Sequence, residues 1–184
     1  MRREINQHQK TVESLLKIEG EAQETIDAIV QCLRAGGKIL ICGNGGSAAD
    51  SQHMAAELIG RFKRDREALP AIALTTDTSI LTALGNDWGV ETLFSRQIQA
   101  LGSEGDILIA FSTSGSSPNI LEACKSAREK KMRVIGFTGN RGEKLKTAAD
   151  ICLTVDSEDT PNIQEAHITL AHIICGKVEE KLFP

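Results

Sequence analysis

The stretch KILICGNGGSAADSQHMAAEL, residues 38–58, decides the fold expected for this chain. Its first five residues form a short apolar run, which is typical of a buried strand. The glycine-rich turn GNGGS, residues 43–47, ends that run, and a helix is predicted directly after it. A strand, a tight turn and a helix in this order are the first half of a βαβ unit.

The same order recurs further along the chain, where helical segments separate four more short apolar runs. These runs are PAIAL (residues 70–74), DILIAF (106–111), RVIGF (133–137) and ICLTV (151–155). Each crossover between parallel strands places a helix on the sheet, so strands that are apolar throughout indicate a sheet covered on both faces. The sequence therefore predicts an α/β fold with a doubly wound parallel sheet flanked by helices.

Helices are also expected at both ends of the chain. Apolar side chains recur at helical spacing between residues 5 and 34, with an interruption near Gly20, which predicts two helices. The pair Gly36-Gly37 ends the second of them. Residues 161–182 form a long amphipathic segment, which predicts a closing helix.

The domain organisation follows from the length and from the absence of an internal break. A chain of 184 residues suits one hydrophobic core, and no repeat or low-complexity linker interrupts it. We therefore expect a single domain over residues 1–184. Its N-terminal helices would occupy residues 1–35, and the α/β core with the closing helix would occupy residues 36–184.

Composition and charge exclude several classes of protein. The net charge is −4 and no long basic run is present, so no nucleic-acid partner is expected. The first ten residues are polar, and no apolar run is long enough to span a bilayer, so we expect neither a secretion signal nor a membrane partner. The five cysteines lack C-x-x-C spacing and are expected to be reduced core residues. Together these observations predict a cytoplasmic protein.

Two polar loops follow predicted strands, and ligands of open α/β sheets bind beyond the carboxyl ends of the strands. The loop STSGSS, residues 112–117, precedes Pro118, a favoured first residue of a helix. Free N–H groups at a helix N-terminus favour a phosphate, so this loop is predicted to bind one without a lysine. Capping of the helix by one serine would explain a single hydroxyl but not five.

The first loop, residues 43–47, is less specific. It matches neither the Walker A spacing nor G-x-G-x-x-G, which weakens a nucleotide-binding interpretation. A tight turn that needs positive φ angles explains its glycines equally well.

Two histidines stand near candidate partners. His53 and Glu57 lie four residues apart on the helix after the first loop, so both side chains emerge on one face and could share a metal or a proton. Such a pair is also common on solvated surfaces. Gln164 and His172 share a broad face of the closing helix with an axial separation of about 12 Å, whereas His167 lies on another face. A metal bound by both needs a long reach or a residue of another subunit.

Four motifs together resemble one family closely. They are GNGGSAADSQHMAAELIGRF (residues 43–62), ALPAIALTTDTSILTALGND (68–87), STSGSSPN (112–119) and IQEAH (163–167). The chain resembles the phosphoheptose isomerases of the sugar isomerase (SIS) fold from about residue 36 to residue 183. The resemblance implies a flavodoxin-like three-layer sandwich and conversion of D-sedoheptulose 7-phosphate to D-glycero-D-manno-heptose 7-phosphate.

The resemblance also implies roles for individual residues. The residues implied to contact the sugar phosphate are Asn44, Gly45, Gly46, Glu57, Asn86, Asp87 and Gln164, with Ser112, Thr113, Ser114 and Ser117 around its phosphate. A zinc site is implied at His53, Glu57, Gln164 and His172. Imidazole and carboxylate suit zinc, whereas an amide oxygen is a poorer ligand. The one departure, Ser116 in place of an expected Asn, is conservative.

The family's activity implies a proton shuttle. Glu57 would take a proton from C1 of the open-chain ketose and return it to C2, while His172 would move a proton between the two oxygens through an enediol. The roles of these two residues could be reversed. The resemblance further implies a homotetramer with sites between subunits, and a product used for the heptose of bacterial lipopolysaccharide.

Two alternatives remain open on the sequence. The family includes a replication-initiation regulator that keeps the loops but lacks the catalytic Glu and His, so a binding module is one alternative. The presence of Glu57 and His172 argues against it. The other is an isomerase of a six-carbon or amino sugar phosphate, because the loops recognise phosphate and hydroxyl groups without counting carbons.

Overall fold

The computed structural model describes residues 1–184 and contains one sheet of five parallel strands in the order β2-β1-β3-β4-β5. The strands are β1 (Ile39–Gly43), β2 (Ala71–Ala73), β3 (Ile107–Phe111), β4 (Arg133–Gly139) and β5 (Ile151–Val155). The predicted doubly wound α/β fold is therefore confirmed. The strand order is the flavodoxin-like one, in which the order reverses between β1 and β3.

Eight helices connect and cover the strands. They are α1 (Arg2–Ser14), α2 (Glu19–Arg34), α3 (Gly46–Ile59), α4 (Thr78–Asp87), α5 (Ser95–Leu101), α6 (Pro118–Glu129), α7 (Glu143–Ala148) and α8 (Thr160–Leu182). No helix carries the extended apolar stretch that a bilayer span requires.

Successive side chains of each strand point to opposite faces of the sheet, which divides the hydrophobic core into two clusters. Ile39 and Ile41 of β1 pack with α2, α3 and α8, whereas Leu40 and Cys42 pack with α5 and α6 on the other face. All four side chains are fully buried. Burying one such side chain contributes about 1.5–3 kcal/mol, so both helical layers are held firmly on the sheet. The helices α3 and α6 therefore lie on opposite faces.

The boundaries of several elements differ by a few residues from the sequence prediction. The two predicted N-terminal helices are present, and the break between them is a 3-10 turn at Leu15–Ile18, just before Gly20. Gly20 lies in the exposed first turn of α2, where the backbone N–H groups have no intrahelical partner in any case. Strand β2 begins after Pro70, which lacks an N–H group and is tolerated at the start of an edge strand.

A buried histidine lies where the closing helix packs on the sheet. The ring of His167 is fully buried, 5.7 Å from the centroids of Phe111 and Phe137, and neither ring nitrogen has a hydrogen-bond partner. Burial lowers the pKa of His167 to about 4, although a backbone contact with Thr138 opposes the shift. The imidazole is therefore neutral in the folded protein at neutral pH.

This histidine predicts a loss of stability in mild acid. The unfolded chain takes up a proton near pH 6.5 and the folded one only near pH 4, so the free energy of unfolding falls as the pH drops between these values. Between pH 7.5 and pH 5 we expect His167 to account for a loss of about 2 kcal/mol. Urea unfolding of the wild type and of His167→Leu at both pH values measures it. An equal loss in the variant would contradict the assignment to His167.

Candidate active site

The two polar loops lie side by side at the point where the strand order reverses. Gly43 of β1 pairs with Phe111 of β3, so the chain leaves the sheet at adjacent positions. Because α3 and α6 lie on opposite faces, the two loops diverge at the point where open α/β sheets form a crevice. This is the position at which open α/β sheets bind ligands.

The loop of residues 112–117 presents unpaired donors to the crevice. The backbone N–H groups of Thr113, Ser114, Ser117 and Asn119 have no acceptor in the protein. The hydroxyls of Ser112 and Ser117 lie 3.2 Å apart, and Ser117 is the N-cap of α6. Free N–H groups at the N-terminus of a helix, beside several hydroxyls, form a site for an anion such as phosphate.

A close backbone contact fixes the shape of this loop. Gly115 has a φ of +61°, and a Cβ atom built there would lie 2.3 Å from the Cα atom of Gly142. A Cβ atom on Gly142 would in turn lie 2.0 Å from Oγ1 of Thr138. A side chain on Gly115 would therefore displace the backbone of Gly142, and one on Gly142 would displace the side chain of Thr138.

The glycine-rich loop packs against the closing helix. A Cβ atom on Gly46 would lie 2.5 Å from Nε2 of Gln164, and Gly45 has a φ of +57°. The positive φ of Gly45 favours glycine, whereas a side chain on Gly46 would displace only the flexible end of Gln164. The structure places the side chain of Gln164 at the N-terminus of α3.

Three predicted site residues meet farther along α3 and α8. Nε2 of His53 lies 3.1 Å from Oε1 of Glu57 and 2.9 Å from Nε2 of His172. The three donor atoms all lie within 4.8 Å of one another. Imidazole nitrogens and a carboxylate oxygen that converge in this way could hold a divalent metal ion. We call these three residues the His-Glu-His cluster.

Neighbouring groups complete the surroundings of this cluster. The ring of Phe62 stacks on that of His172 with a centroid distance of 5.6 Å and an interplanar angle of 25°. Asp50 lies one turn before His53, and one of its carboxylate oxygens is buried without a partner. Burial raises the pKa of Asp50 to about 6, although the nearby His53 opposes the shift.

A buried ion pair fixes the end of α3 to α8. The side chains of Arg66 and Glu179 are each 2% exposed, with Nε of Arg66 3.1 Å from a Glu179 oxygen. The guanidinium also donates to the carbonyl oxygens of Glu57 and Leu58 at 2.8 and 2.7 Å. The carboxylate of Glu179 accepts from the backbone N–H groups of Phe62, Lys63 and Arg64.

The charge state of Glu179 follows from these contacts. Burial alone would raise the pKa of this carboxyl group. The three backbone N–H groups and Arg66 outweigh burial and lower the pKa below its usual value. Glu179 therefore stays ionised, and it holds the segment that carries Phe62 beside the cluster.

Other predicted residues lie apart from this cluster within one chain. Gln164 contacts Gly46, which precedes His53 by seven residues, a rise of about 10 Å along α3. Asn86 and Asp87 end the exposed helix α4, where the Asn86 amide donates to Asp87 at 2.8 Å and neither side chain bonds to the two loops. The roles assigned to these three residues remain predictions.

No role is predicted from the sequence for Asn119, Phe62, Arg66 or Glu179. Asn119 stands in the motif STSGSSPN and directly follows Pro118, so its position in the first turn of α6 was readable. Its partner was not, because the Asn119 amide pairs with that of Asn44, 75 residues away. Glu179 gave only a weak signal, as one acidic residue among the apolar positions of the closing helix.

Comparison with known proteins identifies the family to which the chain is similar. The SIS domain family matches residues 4–139. The chain is 52% identical to phosphoheptose isomerase 1 of Campylobacter jejuni over 178 residues, which cover 97% of this chain and 96% of that protein. It is 58% identical to the phosphoheptose isomerase of Burkholderia pseudomallei over 161 residues, which cover 88% and 82%.

A solved structure shows the same architecture. Phosphoheptose isomerase GmhA from Neisseria gonorrhoeae superimposes with a TM-score of 0.92 and 43% identity, covering 97% of this chain and 96% of that chain. The five-stranded parallel sheet and the loops beyond its carboxyl edge thus define a SIS-domain protein. Within that class, the chain belongs to the phosphoheptose isomerase family.

Proposed function

We propose that this protein isomerises D-sedoheptulose 7-phosphate to D-glycero-D-manno-heptose 7-phosphate. As a member of the phosphoheptose isomerase family it is an isomerase. The observation that carries the proposal is the convergence of Glu57, His53 and His172, because it places a carboxylate and an imidazole where they can exchange protons with one substrate. A binding module without turnover has no need of this arrangement.

The two polar loops are proposed to bind the two parts of the substrate. The free N–H groups and hydroxyls of residues 112–117 bind the 7-phosphate, and residues 44–46 contact the sugar hydroxyls. Asn86, Asp87 and Gln164 are proposed as further sugar contacts. Holding the phosphate, which lies far from the reacting carbons, contributes orientation rather than proton transfer.

The proton transfers are assigned to Glu57 and His172. Glu57 removes a proton from C1 of the open-chain ketose while His172 protonates O2, which gives the enediol. Glu57 then returns its proton to C2, and His172 accepts the proton of O1, which completes the aldose and restores both residues. Each positioned acid or base contributes a factor of about 10² to 10⁴ in rate.

We propose that the cluster holds zinc. Two imidazole nitrogens and a carboxylate oxygen are ligands that zinc favours, and the three atoms lie within 4.8 Å of one another, so the donor set fits the ion. His53, Glu57 and His172 would hold the ion, with Gln164 as a fourth ligand. When bound, zinc supplies a positive charge that polarises a carbonyl group and stabilises an enediolate.

We infer that the complete site lies between subunits of a homotetramer. In this chain Gln164 contacts Gly46, about two helical turns away from the cluster, so a Gln164 that reaches the cluster comes from another copy. The exposure of Trp88 (56%) and Val90 (62%) near the end of α4 supports burial of this surface between copies. We place the enzyme in the cytoplasm, where its product feeds synthesis of the lipopolysaccharide heptose.

The test is proton and phosphorus NMR of the purified protein with sedoheptulose 7-phosphate. We expect an aldose 7-phosphate to form, with solvent deuterium incorporated at C2 in heavy water. Chelation followed by zinc repletion measures the requirement for metal. Six-carbon and amino sugar phosphates serve as comparison substrates. Turnover of only these shorter sugars, or of none, would contradict the proposed substrate.

A further inference from the structure

The crevice between the two ligand loops is bridged by one pair of side chains. Asn44 belongs to the glycine-rich loop that leads into α3, and Asn119 belongs to the first turn of α6. Apart from this pair, no hydrogen bond joins residues 44–50 to residues 112–119. Because α3 and α6 lie on opposite faces of the sheet, the pair is the polar link across the point where the loops diverge.

The pair is reciprocal. Nδ2 of Asn44 donates to Oδ1 of Asn119 at 2.9 Å, and Nδ2 of Asn119 donates to Oδ1 of Asn44 at 2.8 Å. Turning either amide by 180° would bring oxygen against oxygen and N–H against N–H, so each amide fixes the orientation of the other. One N–H group and one acceptor site of each amide remain free.

The two partners differ in their access to the crevice. Asn119 is 7% exposed, whereas Asn44 is exposed and stands beside the unpaired backbone N–H groups of Asn44 and Gly45. The remaining N–H group of the Asn44 amide is therefore available to a ligand in an orientation that Asn119 imposes. The backbone N–H group of Asn119 is also unpaired and adjoins residues 112–117, which we call the phosphate loop.

We infer that Asn119 is a positioning residue for sugar binding, which it supports by orienting the Asn44 amide and holding the glycine-rich loop at a fixed separation from the phosphate loop. The inference rests on the proposed function insofar as the sugar lies against Asn44. Asn119 then acts through Asn44 on the sugar end of the ligand, and the phosphate end keeps its own hydroxyls and N–H groups.

The test compares two ligands by titration calorimetry in a Glu57→Gln background, where turnover does not disturb the titration. For Asn119→Ala we expect the Kd of sedoheptulose 7-phosphate to rise roughly tenfold, because two hydrogen bonds that orient Asn44 are lost. The Kd of inorganic phosphate should change by less than about twofold, since the backbone donors remain. Asn119→Leu, which keeps the branched shape but neither the donor nor the acceptor, should behave in the same way.

A double-mutant cycle separates positioning from a general loss of structure. If Asn119 acts through Asn44, removing Asn119 has no further effect once Asn44 is alanine. The Kd of sedoheptulose 7-phosphate for the double variant should then lie within about twofold of that for Asn44→Ala. Additive effects of the two substitutions would overturn the inference, as would equal weakening of both ligands.

The chain offers a matched control in Asn162. It follows Pro161 in the first turn of α8 and is also 7% exposed, but its amide binds Asp159 at the start of the same helix. Asn162→Ala should leave the ratio of the two Kd values unchanged. A protein that binds with the expected pattern but shows no turnover would contradict the proposed function and support the role of Asn119. Normal turnover with an unchanged Kd in Asn119→Ala would support the proposed function and contradict the role of Asn119.

Discussion

Replacing Glu57 by Gln is expected to lower kcat/KM for sedoheptulose 7-phosphate by about 10² to 10⁴, because the amide cannot take the C1 proton. The substitution preserves the size of the side chain beside His53, so the helix α3 should keep its structure. The measurement is initial-rate kinetics of the purified variant, with thermal unfolding to verify the fold. Normal turnover would contradict the proton-transfer role.

A second readout separates proton transfer from metal binding, since Glu57 belongs to both the proposed acid–base pair and the cluster. Metal content of the variant, determined by atomic absorption, shows whether the ion is retained when turnover is lost. Glu67→Gln is the matched control, because Glu67 is an exposed glutamate whose side chain makes no hydrogen bond. It should have the activity of the wild type.

Replacing Glu179 by Ala is expected to lower the free energy of unfolding by about 3–5 kcal/mol, since Arg66 is left buried without its counter-ion. The backbone N–H groups of Phe62, Lys63 and Arg64 lose their acceptor at the same time. For a chain of this size, the midpoint of thermal unfolding should fall by roughly 10 °C. Calorimetry and urea unfolding measure both quantities.

Two variants check the cause of this loss. Glu180→Ala removes the neighbouring exposed carboxylate, which pairs only with Lys177 at the surface, and should leave stability almost unchanged. Arg66→Met combined with Glu179→Ala removes the unpaired charge but not the unpaired N–H groups, so it should recover only part of the loss. Full stability of Glu179→Ala would show that solvent replaces the buried pair.

The strands were predictable because each is a short run of apolar residues, whereas the order of the strands was not. Both faces of β1 are buried, and the uninterrupted apolar run of Ile39, Leu40 and Ile41 indicates this in the sequence. The reversal of order between β1 and β3 depends on the paths of the crossovers. It explains why the two polar loops, more than 60 residues apart in sequence, share one crevice.

The site was predictable where its residues are close in sequence. The spacing of His53 and Glu57 fixes their proximity on one helix, and the structure has them 3.1 Å apart. The proximity of His172 to His53 depends on how α8 packs against α3, and this packing cannot be predicted from the spacing of residues along the chain. The same holds for the pairing of Asn44 with Asn119 and for the contacts of Glu179. The motif resemblance supplied His172, and only the structure supplied the others.

The close contact between Gly115 of the phosphate loop and Gly142 bears on how such a site could be altered by directed evolution. Gly115 lies against the backbone of Gly142, and Gly142 lies against the side chain of Thr138. A side chain added at either glycine therefore displaces the residue that it contacts. A library that randomises these positions would yield mostly misfolded clones. Exposed positions such as Asn86 and Asp87 carry no such constraint. Variants that accept new sugars should therefore be sought by substitution in α4. The phosphate loop would be kept unchanged, because it can bind the phosphate group of many phosphate esters.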